Sequence, residues 1–229
     1  MKPKIDFYKP NVVAVVSSEA DLAQAIEFKK TDADFVEIRV DAGLGRLTPW
    51  LPKIKLPIII TVRDKSEGGL ESLAPWQRAH LFLEYLPFAS FIDIEIQQIH
   101  NPEFKQVIQE ARKRGVGIIG SYHDFKGVPP EKTLAQLLRI ALKYKCAVIK
   151  IALTLENLWQ LSPVSQLNYF IVKTRIKIPL SIMSMGKLGK KTRPLFANLG
   201  STLNYGYITE PSATGQWQAQ ALKKRIERF

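Results

Sequence analysis

A lysine inside an apolar run carries more potential chemistry than any other residue of this chain. Lys150 stands between Ile149 and Ile151 within the run Val148–Leu153. That setting places it mid-strand and largely out of water, where an unpaired charge is costly. Burial, together with the cations expected at neighbouring strand ends (Arg39 and Arg63), favours the neutral amine. A neutral primary amine attacks carbonyl carbon and can form a Schiff base. His123 follows Ser121-Tyr122 at the end of the preceding apolar run. It is the natural proton shuttle, because an imidazole titrates close to neutral pH. Glu37 is placed to orient that imidazole. Spacing alone leaves a structural alternative open: an inward Lys150 paired with Asp93 or Glu95.

The same alternation recurs from strand to strand. Successive side chains of a strand point to opposite faces. Val36, Ile38 and Val40 fall on one face of the second apolar run, and Glu37, Arg39 and Asp41 on the other. Ile59, Thr61 and Arg63 align in the third run. Asp93 and Glu95 alternate with Ile92, Ile94 and Ile96 in the fourth. Ile119, Ser121 and His123 align in the fifth, and Val148, Lys150 and Ala152 in the sixth. Polar groups on one face of five consecutive strands are hard to explain as packing. They suit a catalytic site at the C-terminal ends of barrel strands.

The elements that must position these residues are eight β-branched runs: Val12–Val16, Phe35–Val40, Ile58–Val62, Phe91–Ile96, Gly117–Tyr122, Val148–Leu153, Leu180–Met183 and Leu203–Ile208. Helical patterns lie between them near Glu19–Lys30, Pro75–Tyr85, Pro102–Arg114 and Glu131–Tyr144. Leu134, Leu137, Leu138 and Ala141 form the apolar face of the last of these. Ser162-Pro163 reads as the start of another helix, and Gln216–Arg228 as a closing one. Eight units of roughly 29 residues predict an α/β fold, a (β/α)8 TIM barrel, as a single domain over residues 1–229. An open doubly wound sheet is the alternative, but the regular spacing favours closure.

Composition narrows the rest. The 229 residues are 46% hydrophobic, too apolar for a disordered chain, and carry a formal charge of +12. One cysteine, Cys146, permits no intrachain disulfide. That suggests a reducing, cytoplasmic setting, with Cys146 as a small buried hydrophobe. No apolar run has membrane-spanning length. No His or Cys pair has metal-ligand spacing, so no metal is expected. His80 and His100 read as surface or packing residues. The string from Gly115 to Gly120 matches G-x-G-x-x-G but enters a strand from a helix, the reverse of a dinucleotide fingerprint. The string from Gly186 to Thr192 lacks P-loop spacing. Half of the charge excess lies between Lys187 and Phe229. Lys187, Lys190 and Lys191 are read on the loop after the seventh strand, where they would steer an anion inward. The Lys223–Arg228 cluster reads as a solvated helix face.

With these residues assembled, the sequence resembles the type I 3-dehydroquinate dehydratases of the shikimate pathway over essentially its whole length. The motifs are Glu37-Ile38-Arg39-Val40-Asp41, Thr61-Val62-Arg63 with Glu67-Gly68-Gly69, Ser121-Tyr122-His123-Asp124-Phe125, Lys150-Ile151-Ala152, Ser184-Met185-Gly186 through Arg193, and Pro211-Ser212-Ala213 with Gly215-Gln216. Ile38, Thr192 and Thr214 depart from the usual pattern without removing a functional group.

The resemblance implies dehydration of 3-dehydroquinate, a small anionic substrate, to 3-dehydroshikimate, with no cofactor. Lys150 would form an imine at the C3 ketone. His123 would take the C2 proton and return it to the departing C1 hydroxyl, with Glu37 holding it. Arg193 would clamp the carboxylate, helped by Ser212 and Gln216. Arg39 and Arg63 would bind ring hydroxyls. Glu67, Gly68 and Gly69 would act as a lid, as would the loop from Ser212 to Gln216. A homodimer is compatible with the resemblance. The rival readings are another Schiff-base barrel lyase of the class I aldolase type and, from a different class, a basic nucleic-acid-binding protein. The latter lacks any recognisable nucleic-acid motif.

Overall fold

Among the described residues nine parallel strands curl into one sheet with helices packed outside it. The computed structural model describes residues 6, 9–160, 162, 178–211 and 214–227. The helix expected after Ser162-Pro163, and Ser212, lie outside the described residues. The strands are β1 (Asn11–Val16), β2 (Phe35–Arg39), β3 (Ile58–Thr61), β4 (Phe91–Glu95), β5 (Gly117–Asp124), β6 (Val148–Thr154), β7 (Leu180–Met185), β8 (Leu203–Tyr207) and the two-residue β9 (Trp217–Gln218). Their order is β7-β6-β5-β4-β3-β2-β1-β8-β9. The described helices are α1 (Glu19–Glu27), α2 (Pro75–Tyr85), α3 (Phe104–Lys113), α4 (Glu131–Lys143), α5 (Gly189–Asn198) and α6 (Ala219–Ile226).

β7 and β8 meet through single hydrogen bonds and hydroxyls rather than a ladder. The Thr202 N–H donates to the Leu180 carbonyl at 2.8 Å. The Ile182 N–H donates to Ser201 Oγ at 3.0 Å, and Ser201 Oγ donates back to the Ile182 carbonyl at 3.0 Å. Ser181 Oγ donates to the Leu203 carbonyl at 2.5 Å. The eight main strands thereby form the expected (β/α)8-type barrel.

Strands buried on both faces read as near-continuous apolar runs, and the two faces form two cores. Outside the sheet, Val12, Ala14, Val16, Val36, Ile38, Ile60, Ile92, Ile94, Ile149 and Ile151 pack against the helices. Inside it, Val13, Val15, Phe35, Ile59, Phe91, Ile119, Val148, Leu203 and Tyr205 fill the barrel. The period-two reading of β2 through β6 therefore divides outward from inward side chains correctly. The apolar face expected for α4 is buried as read. Phe104, Val107, Ile108 and Ala111 do the same for α3 at i, i+3, i+4 and i+7.

Two expected boundaries change. The last helix starts at Ala219, because Trp217 and Gln218 pair with Gly206 and Tyr207 as a strand. The segment carrying Lys190, Lys191 and Arg193 is not a loop but helix α5, with Pro194 inside it. A proline there leaves the carbonyl four residues earlier without its amide donor. That carbonyl belongs to Lys190, and the Trp217 indole N–H takes it at 2.7 Å. A side chain from after β8 thus completes a helix that sequence periodicity disfavours.

Ser201→Ala removes the two bonds of the Ser201 hydroxyl at the β7–β8 seam and leaves that of Ser181. Urea unfolding of this variant should show a loss of about 1–3 kcal/mol with an unchanged slope. Unaltered stability would show that the seam does not depend on Ser201.

Candidate active site

Strand register assembles a chain of alternating charges inside the barrel. Thr61 pairs with Asp93, Glu95 with Ser121, and Ser121 with Lys150. Lys150 Nζ lies 2.9 Å from Asp93 Oδ2 and 3.4 Å from Glu37 Oε1. Of the two partners foreseen for an inward lysine, Asp93 is the one present, and Glu37 joins it. Thr61 Oγ1 donates to Glu37 Oε1 at 2.9 Å. Arg63 reaches Asp93 Oδ1 at 2.8 Å, Glu95 Oε1 at 3.0 Å and Ser121 Oγ at 2.6 Å. Arg78, fully buried on α2, pairs with Glu95 and with Asp64 and donates to the Val62 carbonyl at 2.9 Å. Burial opposes the charge on Asp93, yet Arg63 and Lys150 outweigh it and hold the carboxyl below its ordinary range. Burial likewise opposes the Arg63 charge, and Asp93 and Glu95 overcome it, raising its pKa. Arg63 lines the site, but both of its terminal nitrogens are already bonded to protein groups.

His123 is held by Glu67, not by Glu37. Glu67 Oε2 lies 2.9 Å from His123 Nδ1 and accepts the His123 backbone N–H at 3.0 Å. Glu37 is turned instead to Thr61 and Lys150. The sequence reading placed Glu67 only in a lid, because nothing in spacing shows that a loop after β3 crosses to β5. Two glycines make that crossing. Gly68 has φ +90°, and a Cβ on Gly69 would sit 2.4 Å from the Arg63 carbonyl oxygen. Arg39 bonds Asp41 through Nε at 2.9 Å and a terminal nitrogen at 2.6 Å, and donates to the Gly68 carbonyl at 3.0 Å. It therefore anchors the same loop. Burial pushes Glu67 up to about 8, against the pull of Arg63. Burial, then the charges of Arg63 and Lys150, hold His123 well below 6.5. The imidazole is therefore neutral at neutral pH rather than titrating there.

Arg193 is the exception to the pairing. Its Nε donates to the Ser184 carbonyl at 3.1 Å and a terminal nitrogen to the Tyr205 carbonyl at 2.9 Å. Among the described residues no carboxylate pairs with it. Burial lowers it to about 10, so it stays charged at neutral pH. Gly215, at φ +84°, passes so close to the β7 end that a Cβ would lie 2.5 Å from the Gly186 carbonyl oxygen. That approach brings Gln216 alongside.

These groups meet in a cavity of about 230 Å³ at the C-terminal ends of the strands. Its lining includes Glu37, Arg39, Arg63, Glu67, Gly68, His123, Lys150, Arg193 and Gln216. Gly69 is not part of the lining, and Ser212 is outside the described residues. The sequence reading missed Arg78 and Tyr205. Arg78 was detectable as a cation on the buried face of α2, in register with Phe82 and Tyr85. Tyr205 reads as an ordinary aromatic of a barrel strand.

Lys190 and Lys191 line a separate open groove with Trp217, Lys224 and Arg225, and not the cavity. Lys223 pairs with Asp34 at 2.7 Å, so the terminal basic cluster is partly structural. Gly115, at φ +65°, lies just past the end of α3 and leads into β5, so the glycine string enters a strand from a helix, as read. Burial pushes the Cys146 thiol up to about 12, consistent with an inert core residue. Among the described residues no group of three or more potential ligands could hold a metal, and no helix is long and apolar enough to cross a membrane.

Comparison with known proteins supplies the decisive observation: the family model for type I 3-dehydroquinase matches residues 12–227. The chain belongs to the type I 3-dehydroquinases. It is 32% identical over 219 residues to the 3-dehydroquinate dehydratase of Methanocella arvoryzae, covering 94% of each chain. A crystal structure of the type I enzyme from Clostridium difficile superposes with a TM-score of 0.85 at 22% identity, covering 99% of this chain and 94% of that one. The enzyme from Geobacillus kaustophilus gives 0.83 at 23% identity, covering 96% and 91%. As a type I 3-dehydroquinase the chain is a hydro-lyase of the shikimate pathway, and not a class I aldolase.

The Glu67–His123 contact makes a pH-dependent stability. Above pH 6.5 a histidine is neutral in the unfolded chain too, so only Glu67 still differs between the two states. Folded Glu67 keeps its proton up to about 8, whereas an unfolded glutamate loses it near 4.5. Stability from this group therefore falls as pH rises from 6.5 to 8. Relative to Glu67→Gln, the wild-type melting temperature should decline across that window. Parallel curves would remove the titration from Glu67.

Proposed function

We propose that dehydration of 3-dehydroquinate proceeds through an imine on Lys150, with His123 moving the protons. The observation that carries this reading is that a buried primary amine, a neutral imidazole and a carboxylate-free guanidinium all open into one cavity. Lys150 Nζ, after passing a proton to His123, adds to the C3 carbonyl carbon, and His123 returns that proton to the carbinolamine hydroxyl. Loss of water from the resulting carbinolamine gives the imine. The protonated imine withdraws electrons, so the neighbouring C2 proton becomes acidic. His123, bound through Nδ1 to Glu67, takes that proton at Nε2. Its neutral state equips it as a base from the start. The proton then returns to the C1 hydroxyl, which leaves as water while the C1–C2 double bond forms. Hydrolysis of the imine releases 3-dehydroshikimate and restores the amine.

The other groups follow from charge. Arg193 is positive and has no carboxylate partner among the described residues, which suits the substrate carboxylate, with Gln216 lining the same cavity and Ser212 added by the family resemblance alone. Arg39 and Arg63 keep the cavity positive and face ring hydroxyls. Glu37, shared between Thr61 and Lys150, shapes the amine's surroundings rather than the imidazole's. No cofactor enters this scheme, because the imine is itself the electron sink.

Incubation with 3-dehydroquinate and borohydride should add ligand mass at Lys150. Dehydration without any such adduct would sink the imine. His123→Ala should still yield some adduct, while turnover followed at the enone absorbance falls about 10²–10⁴-fold. Near-normal turnover would take the proton transfer away from His123.

A further inference from the structure

Tyr205 stands on β8 beside Val13 of β1, with its side chain inside the barrel. Three of its features touch the site. Its ring centroid lies 4.0 Å from Lys150 Nζ, within cation–π range. Its carbonyl accepts from Arg193. Its hydroxyl is buried and has no hydrogen-bonding partner among the described residues. Such a group costs stability and calls for an explanation. Packing and the cation–π contact need only the ring, which phenylalanine would supply equally. The hydroxyl is what remains to be explained.

Its neighbours show what it faces. Burial, then the negative charges of Glu37 and Asp93, hold the phenol well above 10, so it remains a donor at any working pH. Those carboxylates are the two that the Lys150 ammonium pairs with. To form an imine, Lys150 must give up its proton and turn its nitrogen toward carbonyl carbon. Asp93 Oδ2 and Glu37 Oε1 then lose a charged donor in a place where an uncompensated carboxylate is costly.

We propose that Tyr205 is a positioning residue for the lysine step: its ring holds the ammonium before reaction, and its hydroxyl donates to the Glu37–Asp93 pair once Lys150 leaves it. The proposal rests on the imine reading. Tyr205 itself makes and breaks only hydrogen bonds.

Tyr205→Phe separates the two parts, keeping the ring and removing the hydroxyl. Its melting temperature should equal or exceed that of the wild type, since an unpaired buried group is gone. Imine formation in a single turnover, quenched with borohydride and read by mass, should slow about tenfold, and kcat should fall with it, at little change in KM. Wild-type rates with raised stability would overturn the proposal and leave the hydroxyl a packing defect. A raised KM at unchanged kcat would also overturn it, in favour of a direct substrate contact. Normal borohydride trapping in the wild type separates both outcomes from a failure of the imine itself. An active wild type that cannot be trapped removes both readings together.

Discussion

A cation among isoleucines is stable only beside an anion, and the 2.9 Å contact between Lys150 and Asp93 supplies one. The rest of the barrel interior follows from that contact. Asp93 is shared with Arg63, Arg63 needs Glu95 as well, and Glu95 needs Arg78 from a helix outside the sheet. Each pair commits another strand. The sequence of charges runs from β6 through β4 to the end of β3 and out to α2. Removing any member leaves its neighbour buried and uncompensated, so this network couples the fold to the amine.

Among the described residues Arg193 has no carboxylate partner and bonds the carbonyl oxygens of Ser184 and Tyr205. It lines the cavity, so its charge is available there to an anion. Glu67 and His123 line the same cavity as Lys150 and Arg193. Burial keeps Glu67 protonated, against the pull of Arg63, and burial with the charges of Arg63 and Lys150 keeps His123 neutral across the middle pH range. Helix α5 reaches the site despite its proline because Trp217 bonds the stranded Lys190 carbonyl. The segment after β8 thus steadies the helix that carries Arg193, while also carrying Gln216.

Local periodicity was sufficient for much of this. β2 through β6 show their inward faces in the sequence, because a lysine or glutamate between isoleucines must point away from the helices. Glu37, Arg39, Arg63, His123 and Lys150 were legible for that reason. Arg193 and Gln216 came from motif resemblance, since nothing in the spacing of α5 or of the segment after β8 marks them. The partner of His123 was misread. Glu37 lies on a strand and Glu67 in a loop, and only the left-handed turn at Gly68 and the close approach at Gly69 decide which of them reaches the imidazole. Lys190 and Lys191 were misplaced because a proline hides a helix whose missing bond is replaced from a distant residue.

The sequence by itself determined the (β/α)8 architecture, the division of β2 through β6 into an outward apolar and an inward polar face, and the inward placing of Lys150 and His123. These follow from interactions between residues two, three or four positions apart. Tertiary structure alone decided which carboxylate holds His123, that Asp93 and Glu37 share Lys150, that Arg78 enters from α2, that Arg193 has no carboxylate partner among the described residues, and that Tyr205 lies over the amine. Those outcomes depend on strand register and on loop paths that join residues tens of positions apart. No local pattern encodes them, because the energy that selects them comes from charges made adjacent only when the barrel closes.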